Sequence, residues 1–201
     1  MGRVKRRAYA GHTYWARPVP GFGDPDATLL LLGLAPGAHG SNRTGRMFTG
    51  DASGAFLFPA LHRAGLASRP DGSEPHDGMT LHGVWITAAL RCVPPGNKPR
   101  RDELTNCRRW LRHDLTRLPR LRAVVALGRI AHDSYLDLLR AQGAPIVKAH
   151  HRFAHGAEHR LEDGLPLIDA YHVSFQNTNT GRLTPAMFDA VLARAKELGG
   201  W

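Results

Sequence analysis

Cysteine is scarce: the 201 residues hold two, Cys92 and Cys107. That number excludes a disulfide-stapled secreted scaffold. No apolar run approaches the roughly 20 residues needed to cross a bilayer as a helix. The N-terminus, from Met1 to Arg7, is basic, but no apolar stretch follows it, so it does not read as a signal peptide. These absences lead to a cytoplasmic expectation. Acidic residues are also few, 17 against 27 lysines and arginines, which leaves a formal charge of +10. Such an excess favours an anionic polymer as partner, although an arginine-rich surface alone produces the same sum. The phosphate-binding pattern Gly-x-x-x-x-Gly-Lys-Ser/Thr is missing, as are internal repeats and low-complexity tracts.

What is present suits one domain with a full core, spanning residues 1–201. Residues 1–27 form a basic, loop-rich N-terminal segment. Four short apolar runs follow, Leu29–Leu34, Gly83–Ala88, Ala123–Leu127 and Leu167–Tyr171, each of the kind buried on both faces of a parallel sheet. Helical spacing lies between and after them, over Ser53–Arg63, Asp102–Leu115 and Ile130–Ala141, and in a last helix capped by Thr184 with Pro185 in its first turn. The alternation predicts an α/β fold with a mainly parallel, four-stranded sheet covered on both sides. Arg69–Gly78, rich in proline and glycine, reads as a surface loop.

In such sheets ligands sit beyond the carboxyl ends of the strands. Four segments occupy that edge: Gly33–Asp51, Arg91–Lys98, Gly128-Arg129 and His172–Arg182. They offer Phe48 as a stacking face, Arg43, Arg46, Lys98, Arg129 and Arg182 as positive charge, Asp51 at a helix start to hold a water, and His172 to stabilise a developing anion. Together these suit removal of a base from a nucleic acid with water as nucleophile. As isolated residue types, Asp51 equally suits a helix cap (its commoner role), Phe48 the core, His172 a structural imidazole, and the arginines a solvated surface.

The paired motifs are specific. Gly33-Leu34-Ala35-Pro36 through Gly45-Arg46-Met47-Phe48-Thr49-Gly50-Asp51, with His172-Val173-Ser174-x-x-Asn177 and Thr180-Gly181-Arg182-Leu183, resemble the type-5 (family B) uracil-DNA glycosylases. The likeness extends to Tyr14–Pro25 and Ala89–Cys92, nearly the whole chain. It implies a three-layer α/β/α fold and a monofunctional, probe-and-flip DNA repair hydrolase that leaves an abasic site. It assigns water positioning to Asp51 and Asn97, and the second-motif catalytic pair to His172 and Asn177. It places the base against Gly33, Ala35, Gly37 and Phe48. Ser174 and Gln176 join the arginines and Lys98 on DNA, with Phe175–Asn179 as the wedge in the minor groove. Gly37 stands where the sister type-4 enzymes carry glutamate. Thr87-Ala88-Ala89 lacks the asparagine by which many uracil glycosylases read the base, so a wider range of deaminated bases, hypoxanthine included, is expected.

The resemblance also implies a [4Fe–4S] cluster. Cys92 and Cys107 match its last two thiolates, but the upstream Cys-x-x-Cys pair is absent from these residues. A cubane takes four ligands. The intact later spacing favours a missing upstream portion. Loss of the cluster, or its completion by other thiols, are the alternatives. No catalytic metal is expected. His150, His151, His155 and His159, with Glu158 and Glu162, match no established ligand spacing and read as a basic, DNA-facing or solvated loop. The expected partner is DNA bearing uracil or other deaminated bases, with the protein acting as a monomer and no membrane involved. A damage-binding module without catalysis, or a glycosylase for another lesion, stands as the alternative.

Overall fold

The computed structural model describes residues 5–162 and 164–201; Met1–Val4 of the N-terminal segment and Asp163 lie outside them. The four expected strands are β2 (Leu29–Gly33), β3 (Val84–Ala88), β4 (Ala123–Leu127) and β6 (Leu167–Ala170). Two short edge strands, β1 (Phe22–Gly23) and β5 (Glu158–His159), extend the sheet from the expected four strands to six. The order is β1-β3-β2-β4-β6-β5, parallel in the centre and antiparallel at both edges. Two residues are too few to show an alternation, which is why the edges are silent in the sequence.

The apolar runs are buried on both faces because successive side chains point to opposite sides. Leu29 and Leu31 face one layer with Leu57 and Phe58 of α2 (Ala52–Arg63) and with Phe188 and Leu192 of α6 (Pro185–Gly199). Leu30 and Leu32 face the other, with Leu111 of α3 (Arg101–Arg117) and Tyr135 and Leu136 of α4 (Arg129–Ala141). The result is the three-layer α/β/α sandwich. Two further short helices, Ser41–Thr44 and Phe175–Asn179, interrupt the long rim loops. No helix of the described residues is long and apolar enough to cross a membrane.

Register decides where the loops meet. Gly33 lies beside Ala88, Leu32 beside Ala126, and Leu127 beside Ala170. The carboxyl ends of β2, β3, β4 and β6 are thus aligned, and the loops leaving them converge on one rim. The N-terminal segment packs over it: Tyr14 is buried with its hydroxyl 2.9 Å from His39 Nδ1, and the Val19 N–H donates to the Arg91 carbonyl. Arg69–Gly78 is anchored to the same rim rather than free, since Gly72 is buried against Phe58 and Asp77 pairs with Arg46.

Candidate active site

A cavity of about 450 Å³ opens at that rim, lined among others by Ala35, Gly37, Phe48, Asp51, Asn97, His172, Ser174 and Gln176. Asp51 enters it from the start of α2. One carboxylate oxygen, Oδ1, accepts from the N–H groups of Ser53 (3.0 Å) and Gly54 (3.2 Å), so Asp51 is indeed the helix cap. Capping occupies one oxygen and leaves Oδ2 against Gly37 and Gly40, where neither residue has space for a Cβ. Burial pushes the carboxyl above its ordinary range, while the two amides and the Arg43 charge pull the other way.

Phe48 adopts a left-handed backbone (φ 55°) that turns its ring back across Gly33, where a Cβ would come within 2.8 Å of the ring. Glycine at position 33 lets the aromatic floor lie flat over the end of β2. The ring centroid lies 6.4 Å from that of His172, tilted by 34°. Burial lowers the His172 pKa to about 4, so its imidazole is neutral at physiological pH and can donate a hydrogen bond without carrying charge. Gly128 (φ 100°) lies directly behind it, and a Cβ there would press on the His172 Cβ at 3.2 Å. Asn97, exposed and also left-handed (φ 57°), reaches the cavity from the turn Pro95–Asn97.

The wall beside β3 carries no base-reading side chain. Thr87 points to the far face, where its hydroxyl donates to buried Asp114 (2.7 Å), and Ala88 lines the cavity. Asp114 is held in turn by Arg91.

The family model described as the uracil DNA glycosylase superfamily matches residues 20–196. The chain belongs to that superfamily. It is 58% identical to the type-5 uracil-DNA glycosylase of Thermus thermophilus over 98% of this chain and 87% of the relative. It is 49% identical to the type-5 uracil-DNA glycosylase of Mycobacterium tuberculosis over 98% of this chain and 72% of the relative. A type-4 uracil-DNA glycosylase of Pyrobaculum aerophilum shares 34% identity over 68% of this chain and 63% of the relative.

Within this superfamily member, several residues expected at the site stand elsewhere. Asn177 does not line the cavity; its side-chain amide donates to the His172 carbonyl (2.8 Å) and braces the His172 loop from behind. Arg43 is buried rather than DNA-facing: its Nε donates to the His39 carbonyl (3.0 Å), and its guanidinium lies 4.6 Å from the Tyr9 ring. Arg46 is likewise turned inward, in a two-point pair with Asp77 at 2.8 and 2.6 Å. Each finds a partner inside the fold, because burying an unpaired guanidinium is prohibitive. Lys98, Arg129 and Arg182 remain exposed, the last over the Tyr171 ring. Ser41, Met47, Ser53 and Pro94 also line the cavity, and no chemical signature marks them in the sequence.

Cys92 is exposed and Cys107 half-buried. Burial raises the Cys92 pKa, and the charge of Cys107 adds to the rise. The 201 residues hold no further cysteine, so this chain supplies two of the four thiolates that a cubane takes. The histidine loop is more structural than expected. His159 is buried against Asp169, His155 Nδ1 accepts from the Tyr171 N–H, and Glu158 pairs with Arg194.

Proposed function

We propose that this chain excises uracil from DNA by hydrolysis of the N-glycosidic bond, and that its pocket also admits other deaminated bases. Uracil-DNA glycosylase activity is what the family and its curated relatives are named for. The observation that carries the reading is the pairing of an oriented carboxylate, Asp51, with a neutral imidazole, His172, across one aromatic-floored cavity. A nucleotide leaves the duplex and enters that cavity, at a cost of a few kcal/mol of unstacking. The base lies on Phe48, against Ala35 and Gly37; Gly33, expected at the base, lies beneath the Phe48 ring and does not line the cavity. As the glycosidic bond breaks, charge gathers on the base, and the His172 N–H donates to it. Asp51 Oδ2 and Asn97 aim water at the sugar carbon. The wall at Ala88 makes no paired contact to a base edge, which supports a wider base range.

Lys98, Ser174, Arg129 and Arg182 hold the DNA backbone, and the Phe175–Asn179 helix fills the vacated space. Phe175 is 62% exposed at its start and suits an apolar wedge. Cys92 and Cys107 would supply two of the four thiolates of a [4Fe–4S] cluster, a set this chain does not complete. Bound there, it would order the loop between them, which carries Asn97 and Lys98, and no catalytic step runs through it. The protein works in the cytoplasm as a monomer.

Single-turnover excision from duplexes bearing uracil, hypoxanthine or normal bases, followed by alkali cleavage, tests the activity. Uracil release that collapses in Asp51→Asn and His172→Ala supports it. Full activity in both variants overturns the roles, and binding to uracil-bearing DNA without release favours the non-catalytic alternative.

A further inference from the structure

A second group of donor atoms lies on the other face of β6, away from the base pocket. Asp169 is completely buried there. Its Oδ1 lies 2.8 Å from Nδ1 of His132 on α4, and its Oδ2 lies 2.9 Å from Nε2 of His159 on β5. One ligand atom from each residue falls within 4.8 Å of the others. A third polar contact is informative: His132 Nε2 lies 2.8 Å from the His151 carbonyl. A carbonyl only accepts, so Nε2 carries a proton. In a neutral ring Nδ1 is then a bare lone pair facing a carboxylate oxygen. Two lone pairs at that distance require a proton, on the ring or on the carboxyl, or a metal ion between them.

We propose that His132 Nδ1, His159 Nε2 and the Asp169 carboxylate bind a zinc-like divalent cation. Two imidazoles and a carboxylate are a donor set that such borderline cations accept. The surroundings match a metal site as well. Metal-bound imidazoles characteristically donate their second N–H to a backbone carbonyl, as His132 does to His151. The carboxylate is oriented by the Ala154 N–H at 3.2 Å. Zinc bonds of about 2.0–2.1 Å in a tetrahedron separate ligand atoms by about 3.3 Å. The ion therefore enters by widening the two contacts by about half an ångström. A fourth position falls to water or to His151, whose ring centroid is 5.7 Å from that of His159.

The ion ties α4, β5, β6 and the 151–154 loop together. Asp169 precedes His172 by three residues, so the site steadies the strand end that delivers the catalytic imidazole. No reaction step uses the metal. The sequence concealed the site because Asp169 and His132 lie outside the histidine-rich segment.

Zinc also binds thiolates, so the test uses Cys92→Ser/Cys107→Ser protein, dialysed against buffered zinc and analysed for metal. One zinc per chain, and a chelator-reversible rise in melting temperature, are expected. Cobalt supplies a second measurement in the unmodified chain. Binding at this site gives four- or five-coordinate visible bands without the near-ultraviolet sulfur-to-cobalt transition. His159→Gln lowers the affinity at least about tenfold. Folded, cysteine-free protein that takes up no stoichiometric zinc or cobalt overturns the proposal, as does binding unchanged by both His132→Gln and His159→Gln. The cluster is then a buried imidazolium–carboxylate pair.

Discussion

Gly40 stands against the Oδ2 oxygen of Asp51, so close that the space between them cannot hold a methyl group. The other oxygen is tied to the backbone of α2. One carboxylate is thus clamped from both sides, by amides on Oδ1 and by a bare backbone at Oδ2.

Gly40→Ala pushes the carboxylate off its present position. Displacements on the ångström scale cost roughly 100-fold in rate. We expect single-turnover excision to fall by about that factor while affinity for uracil-bearing DNA is retained. An unchanged rate means that Oδ2 is not the oxygen that positions water.

Asp51→Asn separates the cap from the chemistry. Asparagine is as good an N-cap as aspartate, so thermal unfolding shifts little, by less than about 1 kcal/mol. The rate of base release falls by about 10²–10⁴ because the water loses its anionic partner. A large loss of stability with little loss of rate reverses the assignment.

The pH profile follows from the same two groups. Only ionised Asp51 serves the water, so the rate rises with pH through a carboxyl pKa held above the usual range by burial, and then levels off. His172, with its pKa lowered to about 4, is neutral throughout the plateau and adds no limb near its ordinary 6.5. The logarithm of the single-turnover rate against pH shows one acid limb, which Asp51→Asn abolishes. A limb near 6.5 that disappears in His172→Gln contradicts the neutral-imidazole role.

His172→Gln removes the imidazole donor to the departing base, and a loss of about 10²–10³ in rate is expected. It also alters the pH dependence of stability. The folded protein holds His172 neutral while the unfolded chain protonates it, so wild-type stability is fully present above 6.5 and falls as the pH drops towards about 4. Denaturation at a series of pH values shows a shallower fall in the variant.

Arg46 and Arg182 look alike in the sequence and behave differently. Arg46→Gln removes the two-point partner of half-buried Asp77, which keeps the Met79 N–H and the Arg69 charge, and costs about 1–3 kcal/mol of stability. The salt dependence of DNA binding stays the same. Arg182→Gln leaves melting unchanged, weakens DNA binding and reduces the slope of log affinity on log salt by about 0.9. Melting curves and binding titrations at several salt concentrations separate the two.

The central strands were legible because burial on both faces leaves an unbroken apolar run, as in Thr28–Leu32, and the cap at Asp51 followed from residue type and position. The edge strands were not, since Phe22–Gly23 and Glu158–His159 pair through their backbones with no repeat long enough to read. The pocket residues at the loop motifs were legible through glycine and charge. Asn177 was expected in the catalytic pair from its motif, and only the structure showed it outside the cavity with its amide on the His172 carbonyl.

The sequence by itself determined the layered α/β architecture, the family and the rim where the chemistry collects, because those depend on local periodicity and on motifs that are contiguous in the chain. Only the tertiary structure decided which charges are exposed and which are turned into the protein, which carboxylate oxygen is left uncapped, and that His132, His159 and Asp169 lie together in one buried group. Those outcomes depend on partners 10–37 residues apart in the chain, and a side chain's letter carries no information about what the fold brings against it.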